Sequence, residues 1–227
     1  MATIIPRAAW GARHGRGFGP APVPAQEVWL HHSVTVAPDL VPPYDDDDRA
    51  IRTIEDIGEE RFGGGIPYTF LVTPAGRVYE GHGVDRRGAH TKGRNTVGRA
   101  VCLVGDYETQ RPSEAQVDAV AALLVHGKAE GWWRDARLAG GHRDAPGAAT
   151  ACPGHHAYAQ IEEINRRAAS GGGGMTAADV WEHVIGNDQL RRPAFTYIWD
   201  THVNVELLVQ MVRQIEERVA ALEHARG

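Results

Sequence analysis

The chain has 227 residues, 42% of them hydrophobic and 23% charged, the composition of a folded protein with one main core and room for a small appendage, not of a disordered or collagen-like chain. A net charge of -5 with no Lys/Arg-rich run argues against a nucleic-acid partner. Apolar residues never run together far enough to span a bilayer, so no membrane insertion is expected. The start, from Met1 to Trp10, lacks the basic-then-apolar pattern of a secretion signal, which predicts a cytoplasmic protein unless something else releases it. Two cysteines, Cys102 and Cys152, cannot build a disulfide framework, and a reducing compartment keeps both as thiols.

The first strand pattern is Val28-Trp29-Leu30, closed by His31 and His32. A helix follows from Asp45-Asp46-Asp47-Asp48 to about Phe62, with the acidic run at the positive end of the helix dipole. Four aspartates suggest a calcium loop, but the alternating ligands and mid-loop glycine of an EF-hand are missing. Short β-rich runs then occur at Thr69 to Val72, Arg77 to Glu80, Ala100 to Val104 and Arg137 to Ala139. Pro74-Ala75-Gly76 reads as the hairpin turn between the first two of these. Ser113 to about Glu130 is a helix, with Ser113 and Gln116 placed for a capping box and Val117, Val120, Ala121, Leu124 and Val125 on its buried face. Strands alternating with helices predict an α/β fold with a single central mixed β-sheet flanked by helices, over residues 1–169. Ser170 and four glycines form a linker over 170–174, because nothing there can pack.

Three positions carry the candidate chemistry. One of the adjacent His31 and His32 faces each side of the sheet, so only one can reach a given site. Gly140-Gly141-His142-Arg143-Asp144 follows a short strand, and a Gly/Ala-rich loop leads to Cys152-Pro153-Gly154. Two imidazoles and a thiolate suit tetrahedral zinc, and three protein ligands leave a fourth position for water, the pattern of a catalytic site.

Pro6 to Arg13, Trp29 to Ser33, Pro67 to Val72, Gly88 to Gly93, Gly141 to Asp144 and Cys152-Pro153-Gly154 occur in that order. Together, over about residues 4 to 168, they resemble the type 2 N-acetylmuramoyl-L-alanine amidases, a family that includes phage endolysins and the peptidoglycan recognition proteins. The resemblance implies that zinc is held by His31, His142 and Cys152, with His32 on the opposite face. It implies that Tyr68 orients the zinc water or donates to the oxyanion, and that His90 lines the groove for peptidoglycan. Thr150 stands where some members carry an oxyanion-stabilising lysine, and a neutral hydroxyl stabilises that charge less. The stretch from His142 to Cys152 is two residues longer than in many phage and animal members and resembles a bacterial branch that recycles wall fragments. The implied activity is hydrolysis of the amide joining muramic acid to L-alanine; the appended tail and the missing signal favour an endolysin used for host lysis over an enzyme of wall recycling. The alternatives are a module that grips peptidoglycan without cutting it, which typically lacks the cysteine, and a zinc peptidase acting on the stem.

From Met175 the chain changes character, with five Arg against eight Asp or Glu. Val205, Leu208, Val212, Ile215, Val219 and Leu222 follow a coiled-coil seam, and Arg218 could pair with Glu223 of a partner helix. The expectation is a helical tail over 175–227 that forms a homo-oligomer through residues 203–223, or that folds back on the Ala177 to Ile185 segment. Trp181, Phe195, Tyr197 and Trp199 offer a wall-binding surface as a further use, and Met175 permits an internal translation start.

Overall fold

The computed structural model describes residues 2–40 and 44–171. The expected tail, its coiled-coil seam, its aromatic surface and most of the glycine linker lie outside the described residues. The described chain forms β1 (Ile4–Ile5), β2 (Glu27–His32), α1 (Asp45–Phe62), β3 (Phe70–Val72), β4 (Val78–Glu80), β5 (Gly98–Leu103), α2 (Glu114–Ala129) and β6 (Gly140–Gly141). A 3-10 turn (His142–Asp144), α3 (His155–Tyr158) and α4 (Ile161–Ala169) complete it.

The strands make one sheet in the order β1-β4-β3-β5-β2-β6. Only the β3–β4 hairpin is antiparallel, and every other neighbouring pair is parallel. The expected mixed sheet flanked by helices is therefore borne out. Parallel strands need cover on both faces, which is why β5 is buried throughout. Val28, Leu30, Val101 and Leu103 pack toward α2 and α4 with Val120, Leu124 and Ile164. Leu71, Tyr79 and Cys102 pack on the other face with Ile51 and Ile54 of α1.

α1 occupies Asp45–Phe62, and its acidic start has a structural use. Asp47 is fully buried; its Oδ2 accepts hydrogen bonds from Thr73 Oγ1 at 2.9 Å and from Arg77 at 3.2 Å. Tyr79 Oη lies 3.3 Å from the same oxygen. These bonds tie the helix to the β3–β4 hairpin. The hairpin turns at Gly76, whose φ of 77° suits glycine.

Ser113 caps α2 by accepting from Gln116 N at 3.0 Å, while Gln116 Oε1 accepts from Ser113 N at 3.2 Å. The buried face of α2 is broader than its sequence suggests: Leu123 and Gly127 are covered, whereas Val125 is only half-buried. α2 packs under both the sheet and α4, and a helix touched on two sides buries a wider stripe. The strand expected at Arg137 to Ala139 falls at Gly140–Gly141 instead, although Ala139 N already donates to Val28 O at 2.8 Å. Glycines have no strand preference of their own, and pairing with β2 places them there.

Candidate metal centre

The carboxyl ends of parallel strands are where open α/β sheets bind ligands, and β2 ends in His31 and His32. Its neighbours decide their directions. His31 is in register with Cys102 of β5, so it points to the α1 face that Cys102 and Leu71 occupy, while His32 points to the α2 face. There His32 Nδ1 accepts from Tyr107 N at 3.2 Å and lies 3.8 Å from Asp106.

His142 directly follows β6 on the other side of β2, and the next loop returns Cys152 to the same place. The return is braced. Arg143 N donates to Cys152 O at 3.0 Å, the Arg143 guanidinium donates to Ala151 O, and it lies 4.7 Å over the Tyr158 ring. Asp144 accepts from Gly141 N and from Tyr158 Oη, both at 2.9 Å. Gly141 is required for the approach, since a Cβ there would lie 2.6 Å from Pro153 Cδ.

His31, His142 and Cys152 each present one ligand atom, and these atoms all lie within 4.8 Å of one another. Cys152 Sγ is 3.5 Å from His31 Nδ1, and the His31 and His142 rings are 4.7 Å apart. Such spacing suits two nitrogens and a sulfur around one ion at about 2.1 and 2.3 Å. The donor set fits a borderline-soft metal. Burial, with His142 beside it, pulls the His31 pKa well below its usual value, and burial also lowers His142, so both rings are neutral and have a lone pair to offer. Burial pushes the Cys152 thiol up to about 11. A metal must therefore displace its proton.

The three residues line a cleft of about 430 Å³ together with Tyr68, His90 and Thr150. Tyr68, at the entry to β3, has its ring 5.4 Å from that of His31. Burial holds the Tyr68 phenol well above its ordinary pKa, so it can donate a hydrogen bond but cannot act as a base near neutrality. Thr150 Oγ1 accepts from Cys152 N at 3.1 Å, which leaves its own proton free to donate. His90, from the β4–β5 loop, stacks on His82 with ring centroids 6.1 Å apart and keeps a buried Nε2 without a hydrogen-bond partner among the described residues. All six sequence-predicted site residues thus meet in one cleft. Sequence reasoning missed the wall that α1 supplies through Ile54, Ile57 and Arg61; the helix was legible, but the sequence does not say which surface its end closes.

The sequence pattern of the family described as N-acetylmuramoyl-L-alanine amidase matches residues 21–155, more than half of the chain, a span that includes all the cleft residues named above. The chain belongs to the N-acetylmuramoyl-L-alanine amidase family. Among its relatives, this amidase-family chain is 31% identical over 161 residues to peptidoglycan-recognition protein LB of Drosophila melanogaster, covering 70% of this chain and 68% of that one. It is 35% identical over 130 residues to the N-acetylmuramoyl-L-alanine amidase of Sus scrofa, covering 54% of this chain and 21% of that one. The fold is similar to the solved structure of peptidoglycan recognition protein-LE in complex with tracheal cytotoxin, a monomeric diaminopimelic acid-type peptidoglycan. That likeness has a TM-score of 0.64 at 29% identity and covers 70% of this chain and 92% of that one. Among the described residues, no helix is long and apolar enough to cross a membrane.

Proposed function

We propose that this family member is a zinc-dependent N-acetylmuramoyl-L-alanine amidase that cleaves the amide between the lactyl group of muramic acid and L-alanine of peptidoglycan. The observation that carries the reading is Cys152 facing His31 and His142 in an open cleft. A domain that only gripped its ligand would have no use for a thiol brought so close to two neutral imidazoles. Zinc, held by these three side chains, would lower the pKa of a bound water toward neutrality and polarise the scissile carbonyl.

The remaining work falls to the chain's own residues. The protonated Tyr68 phenol donates to the oxygen that gains charge as the carbonyl becomes tetrahedral, and Thr150 supplies a second, neutral donor. His90 offers its Nε2, without a partner among the described residues, to a polar group of the substrate. Ile54 and Ile57 exclude water from one side of the cleft, strengthening every hydrogen bond made within it.

The same reading makes the protein a phage endolysin, kept in the host cytoplasm until it is released to the wall. Its support is modular: a glycine run separates the amidase domain from an aromatic-bearing tail. Residues 203–223 carry a seam for self-association. Light scattering on the full chain and on a chain ending at Gly174 should then give different oligomeric states.

The test of the activity is to incubate purified cell walls with the zinc-loaded and the chelated protein and identify the bond cut by mass spectrometry. New amino groups on L-alanine, only with zinc, are expected. New amino groups within the stem would make it a peptidase, and binding without cleavage would make it a recognition module.

A further inference from the structure

Thr91 is buried between two histidines of the cleft, 1% exposed. Its Oγ1 lies 3.2 Å from His31 Nε2 and 3.0 Å from His90 Nδ1. Its place is fixed independently of those contacts: Asn95 Oδ1 accepts from both His90 N at 3.0 Å and Thr91 N at 2.8 Å, and Thr91 O accepts from Arg94 N at 2.9 Å. The hydroxyl is therefore held at a set point by a turn remote in sequence from β2.

A hydroxyl has one proton and two lone pairs, so between two imidazole nitrogens it donates to one and accepts from the other. His31 turns Nδ1 toward Cys152 Sγ. A neutral ring that offers the Nδ1 lone pair carries its proton on Nε2, so His31 Nε2–H donates to Thr91 Oγ1. The Thr91 hydroxyl then donates to His90 Nδ1, and the single proton of a neutral His90 sits on Nε2, the atom that has no partner among the described residues.

We propose that Thr91 is a positioning residue that fixes the ring orientation and tautomer of His31 for metal binding and, through the same hydroxyl, presents His90 to the substrate as an N–H donor. It touches neither metal nor substrate. Partners of this kind, bonded to the far nitrogen of a ligating histidine, typically govern metal affinity. The inference rests on the zinc reading above, and its test separates the two.

Zinc affinity is measured by competition with a chromophoric chelator for the full chain, for Thr91→Val, which keeps the shape and removes the hydroxyl, and for Thr91→Ser, which restores it. Thr91→Val should bind zinc about 10- to 100-fold more weakly and raise KM for muropeptide, with Thr91→Ser close to the parent. Failure of the parent chain to bind zinc would overturn the zinc reading itself. Equal zinc affinity of a folded Thr91→Val and the parent would overturn the role of Thr91 alone. Nitrogen-15 NMR of the parent histidine rings, zinc-loaded, decides the matter even if Thr91→Val does not fold: protons on Nε2 of both His31 and His90 are expected, and a proton on His90 Nδ1 would overturn the proposal.

Discussion

His31 and Cys102 are register partners across β2 and β5, and that pairing settles which of two adjacent histidines enters the cleft. Because side chains alternate along a strand, His32 is committed to the α2 face. Its Nδ1 is used there by Tyr107 N. The two histidines should therefore respond differently to replacement. His31→Ala should abolish zinc binding, whereas His32→Ala should retain it and lose stability, by about 1 to 3 kcal/mol for an orphaned buried donor. Metal content and urea unfolding of the two variants check this.

Cys152→Ser should lose zinc and activity together while muropeptide binding survives. Removing the metal forfeits several kcal/mol of charge stabilisation in the transition state, a rate loss of at least about 100-fold at roughly 1.4 kcal/mol per decade. Isothermal titration with a muropeptide beside a wall-lysis assay separates binding from cleavage. Lytic activity in the metal-free variant would count against the proposed chemistry.

Tyr68→Phe removes one donor and leaves the metal ligands untouched. The expected result is unchanged zinc content with kcat lowered by about 10² to 10³, the usual effect of deleting an oxyanion donor. Burial holds the phenol protonated well above its ordinary pKa, so the loss should be the same across pH 6 to 9. A loss that varied with pH across this range would mean that Tyr68 titrates in the reaction.

Gly141→Ala tests the brace behind Cys152. The added methyl would sit 2.6 Å from Pro153 Cδ, a ring carbon in a closed loop, so the Cys152 segment must shift. Zinc affinity should fall while the sheet stays intact, read by chelator competition beside circular dichroism.

His82 predicts an acid limb of stability. Its Nδ1 is bonded to Gly83 O at 2.8 Å, and burial pushes its pKa down to about 3. The folded state keeps this ring neutral while the unfolded chain protonates near the ordinary 6.5, so its contribution is complete above about pH 6.5 and is lost as pH falls toward 3. One such group gives about 1.4 kcal/mol per pH unit in that window. Urea unfolding between pH 7 and 4 should show a shallower slope for His82→Gln than for the parent.

Local signals are legible in the sequence. The capping box of Ser113 and Gln116 and the acidic start of α1 are short-range features, and the helices begin where those features stand. β1 was not legible, and β6 was expected at Arg137 to Ala139 rather than at Gly140–Gly141, because strands of two residues exist only through their partners β4 and β2. At the site, the alternation of His31 and His32 posed a choice that periodicity alone left open, and the ordered motifs resolved it by resemblance. Thr91 left no trace of its role, since its contact with His31 joins residues 60 apart in the chain. The buried use of Asp47 was hidden for the same reason, its partners lying 26 to 32 residues away.

The most direct measurement is zinc-edge X-ray absorption on the metal-loaded full chain, with the Cys152→Ser variant beside it. Two histidine nitrogens and one oxygen at about 2.0 to 2.1 Å and one sulfur at about 2.3 Å are expected, with the sulfur shell absent in the variant. A parent spectrum without sulfur, or with a second sulfur from Cys102, would contradict a centre built from His31, His142 and Cys152 with its fourth position open.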